Sequence, residues 1–155
     1  MIQIRIGGWA GQGVVLAGTI LANSFSSKGK NVVMTRSYTA AVRSGITTSE
    51  IIVDDSEIYD LVITKPDVMI FMYDKTFQKY MDLARKANYV IIDSSLIKNY
   101  PDDRNIYPVN ASEIAEKISS PKLANIVLLG AYARITSHLD IETIEKAIRE
   151  NVSKK

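Results

Sequence analysis

The sequence predicts a single-domain α/β protein spanning residues 1–155, with a Rossmann-like three-layer fold, a mostly parallel sheet and helices on both faces. Three observations lead there. A β-branched run, Ile2 to Ile6, ends at glycines and is followed by an apolar segment too long for a strand. Two further apolar runs of buried-strand length, Val68 to Met72 and Tyr89 to Asp93, bracket a segment of helical periodicity. The 155 residues, 46% of them hydrophobic, suffice for one core of ordinary domain size.

Taken in order, Ile2 to Ile6 reads as a strand, Gly7 to Gly13 as a loop and Val14 to Phe25 as a helix. Lys28-Gly29-Lys30 stops that helix, its cations favouring the negative helix end, and Asn31 to Thr35 is a second strand. The β-α-β connection makes these two strands parallel. Arg36 to Gly45 breaks the pattern and reads as a functional loop. Ile46 to Val53, rich in Thr, Ile and Val, is the next strand, closed by the turn residues Asp54-Asp55-Ser56.

After the strand at Val68 to Met72, the residues Phe77, Met81 and Ala84 recur at helical spacing opposite Lys75, Lys79, Asp82 and Lys86. Ile106 to Val109 fits an edge strand, where Pro108 is tolerated. Asn110 and Glu113 form a capping pair opening a helix through Ile118. Ala124 to Ser137 is a further helix, and Asp140 caps the last one, with Ile141, Ile144, Ile148 and Val152 on one face. The helices Val14 to Phe25 and Ala124 to Ile135 are apolar on nearly every side, so either the sheet arrangement or a partner chain must cover them.

Composition removes several function classes. A net charge of +2 with 23% charged residues gives no field that singles out nucleic acid as a partner. The chain has no cysteine, which excludes disulfides, thiolate nucleophiles and thiolate-held iron–sulfur clusters, so any cluster sits on another chain. The N-terminus shows no leader pattern and no stretch is long enough to span a bilayer; a cytoplasmic protein without a membrane partner is expected.

The chemistry concentrates in Gly7-Gly8-Trp9-Ala10-Gly11-Gln12-Gly13. A glycine loop between strand and helix points backbone N–H groups outward at the positive end of the helix dipole, which suits a phosphate or carboxylate. The run from Gly8 to Gly13 nearly fits the dinucleotide pattern G-x-G-x-x-G, with Ala10 at the second glycine position. The acidic residue that would hold a ribose hydroxyl is replaced by Arg36, which disfavours NAD and leaves open a 2′-phosphate or another phosphorylated ligand. The plainer alternative is that the glycines only permit a tight turn, with Trp9 filling a gap.

The segment Ser37 to Gly45 leaves the second strand at the same sheet edge, so Arg36 and Arg43 would face one ligand or partner, unless both pair with surface carboxylates. His138 stands alone and reads as a charge at a helix C-terminus. Asp54, Asp55 and Glu57 read as a solvated turn without a cationic counterpart, and Asp67 and Asp93 merely flank strands. No catalytic residue and no metal ligand is assigned.

The run Ile4-Arg5-Ile6-Gly7-Gly8-Trp9-Ala10-Gly11-Gln12-Gly13-Val14-Val15-Leu16-Ala17-Gly18 resembles the opening of the γ subunit of 2-oxoacid:ferredoxin oxidoreductases, particularly the 2-oxoglutarate type. The γ-like domain of pyruvate ferredoxin oxidoreductase is similar. The family continues Ser-Tyr-Gly-Pro-Glu-x-Arg-Gly-Gly; here Tyr38, Arg43 and Gly45 match, while Thr39, Ala40, Ala41 and Ser44 depart. Thr64 to Asp67 and Asn125 to Ala131 also look like family segments, so the resemblance runs from Gln3 to about Arg149.

The resemblance implies a Rossmann-like γ subunit that helps close the active site of a multisubunit enzyme. That enzyme decarboxylates a 2-oxoacid oxidatively to its acyl-CoA and passes electrons to ferredoxin. It further implies α and β partner subunits, with a δ subunit left open, and thiamine diphosphate, magnesium and iron–sulfur clusters on those partners. Coenzyme A would then contact this chain at the loop, and the residues meeting ligand or subunit would be Gly8, Trp9, Gly11, Gln12, Gly13, Tyr38, Arg43 and Gly45. The alternatives are a stand-alone NADP- or other nucleotide-binding protein, and a purely structural subunit with no ligand.

Overall fold

The computed structural model describes residues 1–38 and 45–152. Six strands, β1 (Ile2–Trp9), β2 (Asn31–Tyr38), β3 (Ile46–Asp54), β4 (Val68–Phe71), β5 (Tyr89–Asp93) and β6 (Ile106–Val109), form one sheet in the order β2-β3-β1-β4-β5-β6. The pairs β1·β4, β4·β5 and β5·β6 are parallel, and β3 runs antiparallel to both its neighbours. Strands β1 and β2 are thus parallel in direction, as the β-α-β reading requires, but β3 lies between them. A short connection after β2 returns the chain antiparallel, whereas parallel neighbours need a long crossover.

Helices cover both faces. On one lie α1 (Val14–Ser27), α4 (Ala111–Ile118), α5 (Ala124–Thr136) and α6 (Ile141–Asn151), packed over Ile4, Ile6, Ile51, Ile70 and Ile91. On the other lie α2 (Asp74–Lys79) and α3 (Met81–Ala84), over Met69, Phe71, Val90 and Ile92. Side chains alternate across a strand, so even-numbered residues of β1 face α1 and odd-numbered ones face α2.

Packing within the helix layer answers the question raised by the apolar helices. Helix α1 rests on β1, β2 and β3 and is flanked by α5 and α6, which bury Ile20, Leu21, Phe25, Leu128, Leu129 and Tyr132. The helix expected through Phe77, Met81 and Ala84 is instead two short helices. Tyr80, between them, leaves helical dihedrals and stacks its ring against the Arg5 guanidinium at 4.7 Å.

Local capping also differs from expectation. Asn110 precedes α4, but its side chain accepts from the Ser94 hydroxyl at 2.7 Å, and Glu113 pairs with Lys117 at 3.3 Å. The fully buried Asp93 takes over, accepting from the Ser112 N–H at 3.3 Å and the Ser112 hydroxyl at 2.5 Å. A carboxyl group that accepts from both the N–H and the hydroxyl of Ser112 replaces the amide cap that the spacing suggested. Asp140 does stand at the start of α6, where Lys28 lies 3.4 Å from its carboxylate.

Two charge readings change. His138 is half-buried and shares a hydrogen bond of 3.0 Å with the Tyr132 hydroxyl, and burial pushes its pKa below the ordinary value, which disfavours the helix-end charge expected from the sequence. The acidic turn has a cationic counterpart after all, since Asp55 pairs with Lys30, while Asp54 accepts from the Asp55 N–H at 2.7 Å.

Candidate functional site

The glycine-rich segment is only partly a loop. Gly7, Gly8 and Trp9 belong to β1 and pair with Thr48, Thr47 and Ile46 of β3. A Cβ on Gly7 would stand 2.5 Å from Thr76 Cγ2, and one on Gly8 would stand 2.7 Å from Val14 Cγ2, so these two glycines let helices approach the sheet from opposite faces. The Thr76 hydroxyl fastens α2 there by donating to the Gly8 carbonyl at 3.0 Å. The turn proper is Ala10 to Gly13.

That turn is held by two carboxamides. Gln12 Oε1 accepts from the Trp9 N–H at 2.7 Å, and Gln12 Nε2 donates to the Met72 carbonyl at 2.9 Å, clamping the turn to the end of β4. Asn125, 3% exposed at the start of α5, donates from Nδ2 to the Gly13 carbonyl at 3.2 Å and accepts from the Ile126 N–H at 2.9 Å. Gly13 has φ 78°, and a Cβ there would overlap the Asn125 carboxamide. Sequence reasoning assigned Asn125 no site role. The available signal was a single polar residue opening an otherwise apolar helix.

The structure brings Gly45 to the turn as well. The Ala10 N–H donates to the Gly45 carbonyl at 2.8 Å, and Gly45, at φ 59°, lies flat against the Trp9 ring where any Cβ would collide. Trp9 also meets the Tyr73 ring with centroids 4.9 Å apart. The backbone of Tyr38 ends β2 opposite Thr47 at this same edge, and Arg36 is exposed on that strand. Arg43 lies outside the described residues.

Strands β1 and β4 are neighbours whose following helices, α1 and α2, leave to opposite faces. Such a switch point opens a crevice beyond the strand ends, and the glycine turn sits in it. Clefts flank the turn on two sides. The larger, about 480 Å³, lies between Gly11, Gln12 and Met72 and the start of α4, and carries Ser95, Ser112, Glu113, Glu116 and Lys122. The smaller, about 350 Å³, lies between the turn, the first residues of α1 and Thr47.

No thiolate-held cluster fits this chain, which lacks cysteine, and among the described residues no three His, Asp or Glu side chains stand close enough to hold a metal ion. Also among the described residues, no helix is long and apolar enough to cross a membrane.

Compared with known proteins, residues 3–155 match the family described as pyruvate ferredoxin/flavodoxin oxidoreductase. The chain belongs to this family. Among relatives of this oxidoreductase subunit is the 2-oxoglutarate synthase subunit KorC of Methanocaldococcus jannaschii, 35% identical over 157 residues, which cover 98% of this chain and 84% of the relative. The γ subunit of a keto/oxoacid ferredoxin oxidoreductase from Geobacter sulfurreducens has the same fold, with a TM-score of 0.83 at 30% identity over 99% of this chain and 88% of that one. A 2-oxoglutarate:ferredoxin oxidoreductase from Magnetococcus marinus, solved with 2-oxoglutarate, coenzyme A and succinyl-CoA, superposes with a TM-score of 0.83. That match covers 96% of this chain and 26% of the other at 20% identity, a likeness of fold. The γ-subunit resemblance drawn from the glycine segment is thereby shown, and with it the α/β architecture.

Proposed function

We propose that this chain is the γ subunit of a 2-oxoacid:ferredoxin oxidoreductase of the 2-oxoglutarate type. The assembled enzyme converts a 2-oxoacid and coenzyme A to the acyl-CoA and carbon dioxide, with the electrons passing to ferredoxin. The observation that carries this reading is the 35% identity to a 2-oxoglutarate synthase subunit across 98% of this chain and 84% of the relative. Thiamine diphosphate, magnesium and the iron–sulfur clusters belong in this reading to α and β partners, where thiamine diphosphate would supply the electron sink for decarboxylation.

The chain's own residues supply binding and shape. Gln12 and Asn125 fix the turn at the positive end of α1, a place that favours a phosphate of coenzyme A. The exposed edge formed by Gly11, Gln12 and the α4 cleft closes over the substrate when the partner subunits dock. No residue of this chain takes a catalytic role, and the complex works in the cytoplasm.

Anaerobic purification of the tagged chain from its native host tests the reading. The expected result is a complex containing iron and thiamine diphosphate that reduces an artificial acceptor with 2-oxoglutarate in preference to pyruvate, branched-chain oxoacids and indolepyruvate. Recovery of the chain alone, with no oxoacid-dependent activity in the co-purified fraction, overturns it. The stand-alone NADP reading draws on Arg36 and the near-fingerprint turn, and a calorimetric titration of the chain with NADPH separates the two.

A further inference from the structure

We infer that the segment Ile58 to Ile63, at the end of the sheet opposite the glycine turn, is where another subunit of the same oxidoreductase docks, through an apolar surface that carries a lysine or arginine. This rests on reading the chain as a γ subunit, and it names a surface by which the assembly forms.

The segment joins β3 to β4 and is neither helix nor strand. Both its flanks are fixed. Asn31 Nδ2 donates to the carbonyls of Asp55 at 3.3 Å and Ser56 at 3.0 Å. Gln3 accepts from the Lys65 N–H at 3.3 Å through its side chain and from the Asp67 N–H at 2.7 Å through its carbonyl. Ile63 and Pro66 are buried. Between these anchors Tyr59, Leu61 and Val62 stand 85%, 53% and 62% exposed. Single exposed hydrophobics are ordinary on a protein surface, whereas three within four positions of an anchored segment form a patch that association removes from water. Ile114, Ile118 and Leu123 are also exposed, but they belong to the elements that form the α4 cleft.

The charges beside the patch select the partner. A cleft of about 340 Å³ opens between Tyr59 and the start of β2, lined by Asn31, Val32, Val33, Glu57 and Ile58. Glu57 accepts from the Tyr59 hydroxyl and forms no ion pair among the described residues. From Asp54 to Lys65 the carboxylates are Asp54, Asp55, Glu57 and Asp60, and Lys65 is the only cation. Lys30, from outside the segment, answers Asp55. Valine walls with a carboxylate at the rim fit the stem and the head of a lysine or arginine. Two copies of this chain docked about a two-fold axis would instead set like-charged rims against each other.

The fold also occurs inside longer polypeptides. The match to the Magnetococcus marinus oxidoreductase covers 26% of that chain, so there the same architecture has further protein beside it. In the γ-subunit reading the corresponding neighbour of this chain is a separate subunit. Gln3 and Trp9 stand about 20 Å apart along β1 at the usual strand rise, so docking at this end leaves the glycine turn free.

For the test, the tagged chain replaces the native copy, the complex is purified anaerobically, and thiamine diphosphate and iron are counted per chain. Leu61→Asp with Val62→Asp is expected to lower both about tenfold or more, as loss of the centre of an interface does, while the isolated variant melts close to wild type. Ile141→Asp, at an exposed apolar residue of α6, should keep wild-type recovery. Glu57→Lys should lower recovery less, and more at low salt than at high. In the wild-type complex, amide hydrogen exchange over residues 58–63 is expected to slow about tenfold or more relative to the isolated chain. Wild-type recovery in the Leu61 and Val62 variant, or unchanged exchange over 58–63, overturns the proposal and leaves the γ-subunit reading standing. Equal recovery in Glu57→Lys overturns the cationic partner surface. A dimer of the isolated chain, seen by light scattering and dissociated by the Leu61 and Val62 substitutions, overturns the proposal as well, since the occupant is then a second copy. A wild-type chain that brings down neither thiamine diphosphate nor iron overturns the γ-subunit reading itself, and this inference with it.

Discussion

Gly13 and Asn125, 112 residues apart, meet at the start of α1: the Asn125 carboxamide donates to the Gly13 carbonyl at 3.2 Å and fills the space where a Gly13 side chain would be. Gly13→Ala therefore combines two penalties. Its left-handed backbone costs a non-glycine residue about 1–2 kcal/mol, and overlap with Asn125 adds to that. The expected result is a loss of about 2–4 kcal/mol in denaturant unfolding. Asn125→Ala in the same chain should restore part of the loss, so the double variant is less destabilised than the sum of the singles. Strict additivity would show that the two residues do not compete for one space.

Gln12 makes a prediction about order in the turn. Gln12→Ala removes the acceptor of the Trp9 N–H and the donor to the Met72 carbonyl, both in a half-buried setting. Stability should fall by about 1–3 kcal/mol. The Trp9 emission should shift to the red as its backbone loosens from β4. Gln12→Glu keeps the acceptor but sets a carboxylate against a carbonyl, so it should resemble Gln12→Ala at neutral pH and recover at acidic pH. A Gln12→Ala chain with unchanged emission and stability would remove the clamp from the argument.

Where the fold was legible, the reason is periodicity. Tyr89 to Asp93 and Ile106 to Val109 were bounded as the structure has them. Parallel strands buried on both faces are continuous apolar runs, and Pro108 marks the edge. Legibility failed where partners are distant. Gly7, Gly8 and Ser37 carry little strand propensity and are strand because β3 pairs with both segments. The pattern Asn110 to Glu113 was a sound local signal that lost to Ser94, Lys117 and Asp93, none of which its spacing reveals. Of the candidate site, the glycine turn was readable; the contact of Asn125 with Gly13 joins residues 112 apart, which no local spacing reveals.

Arg43, which precedes Gly45 by two residues, is the cation proposed to meet the phosphates of coenzyme A in the assembled enzyme. Charge-assisted hydrogen bonds from arginine to phosphate act on binding, and a group that does not touch the reacting atoms leaves the chemical step alone. Arg43→Ala should raise KM for coenzyme A about tenfold or more with kcat within about twofold, and high salt should mask the difference. Arg36→Ala serves as the comparison, an exposed cation on β2. Unchanged coenzyme A kinetics in Arg43→Ala would remove that residue from the site.

His138 predicts how stability responds to acid. Burial lowers its pKa in the folded chain below the ordinary 6.5, and the nearby Asp67 carboxylate offsets only part of this. The ring accepts or donates in a hydrogen bond with Tyr132, whose own ionisation burial pushes far up, and it packs edge-on against Tyr89. Between the lowered folded pKa and 6.5 the unfolded chain binds more protons than the folded one, so stability falls as the pH drops through that window and levels off below the folded value. His138→Gln keeps a hydrogen-bonding partner for Tyr132 and removes the titration. Its unfolding free energy should be flatter than wild type from neutral pH down to about pH 5. A wild-type chain that gains stability on acidification through this window, with the gain lost in His138→Gln, would mean that Asp67 outweighs burial and that the ring is charged in the fold.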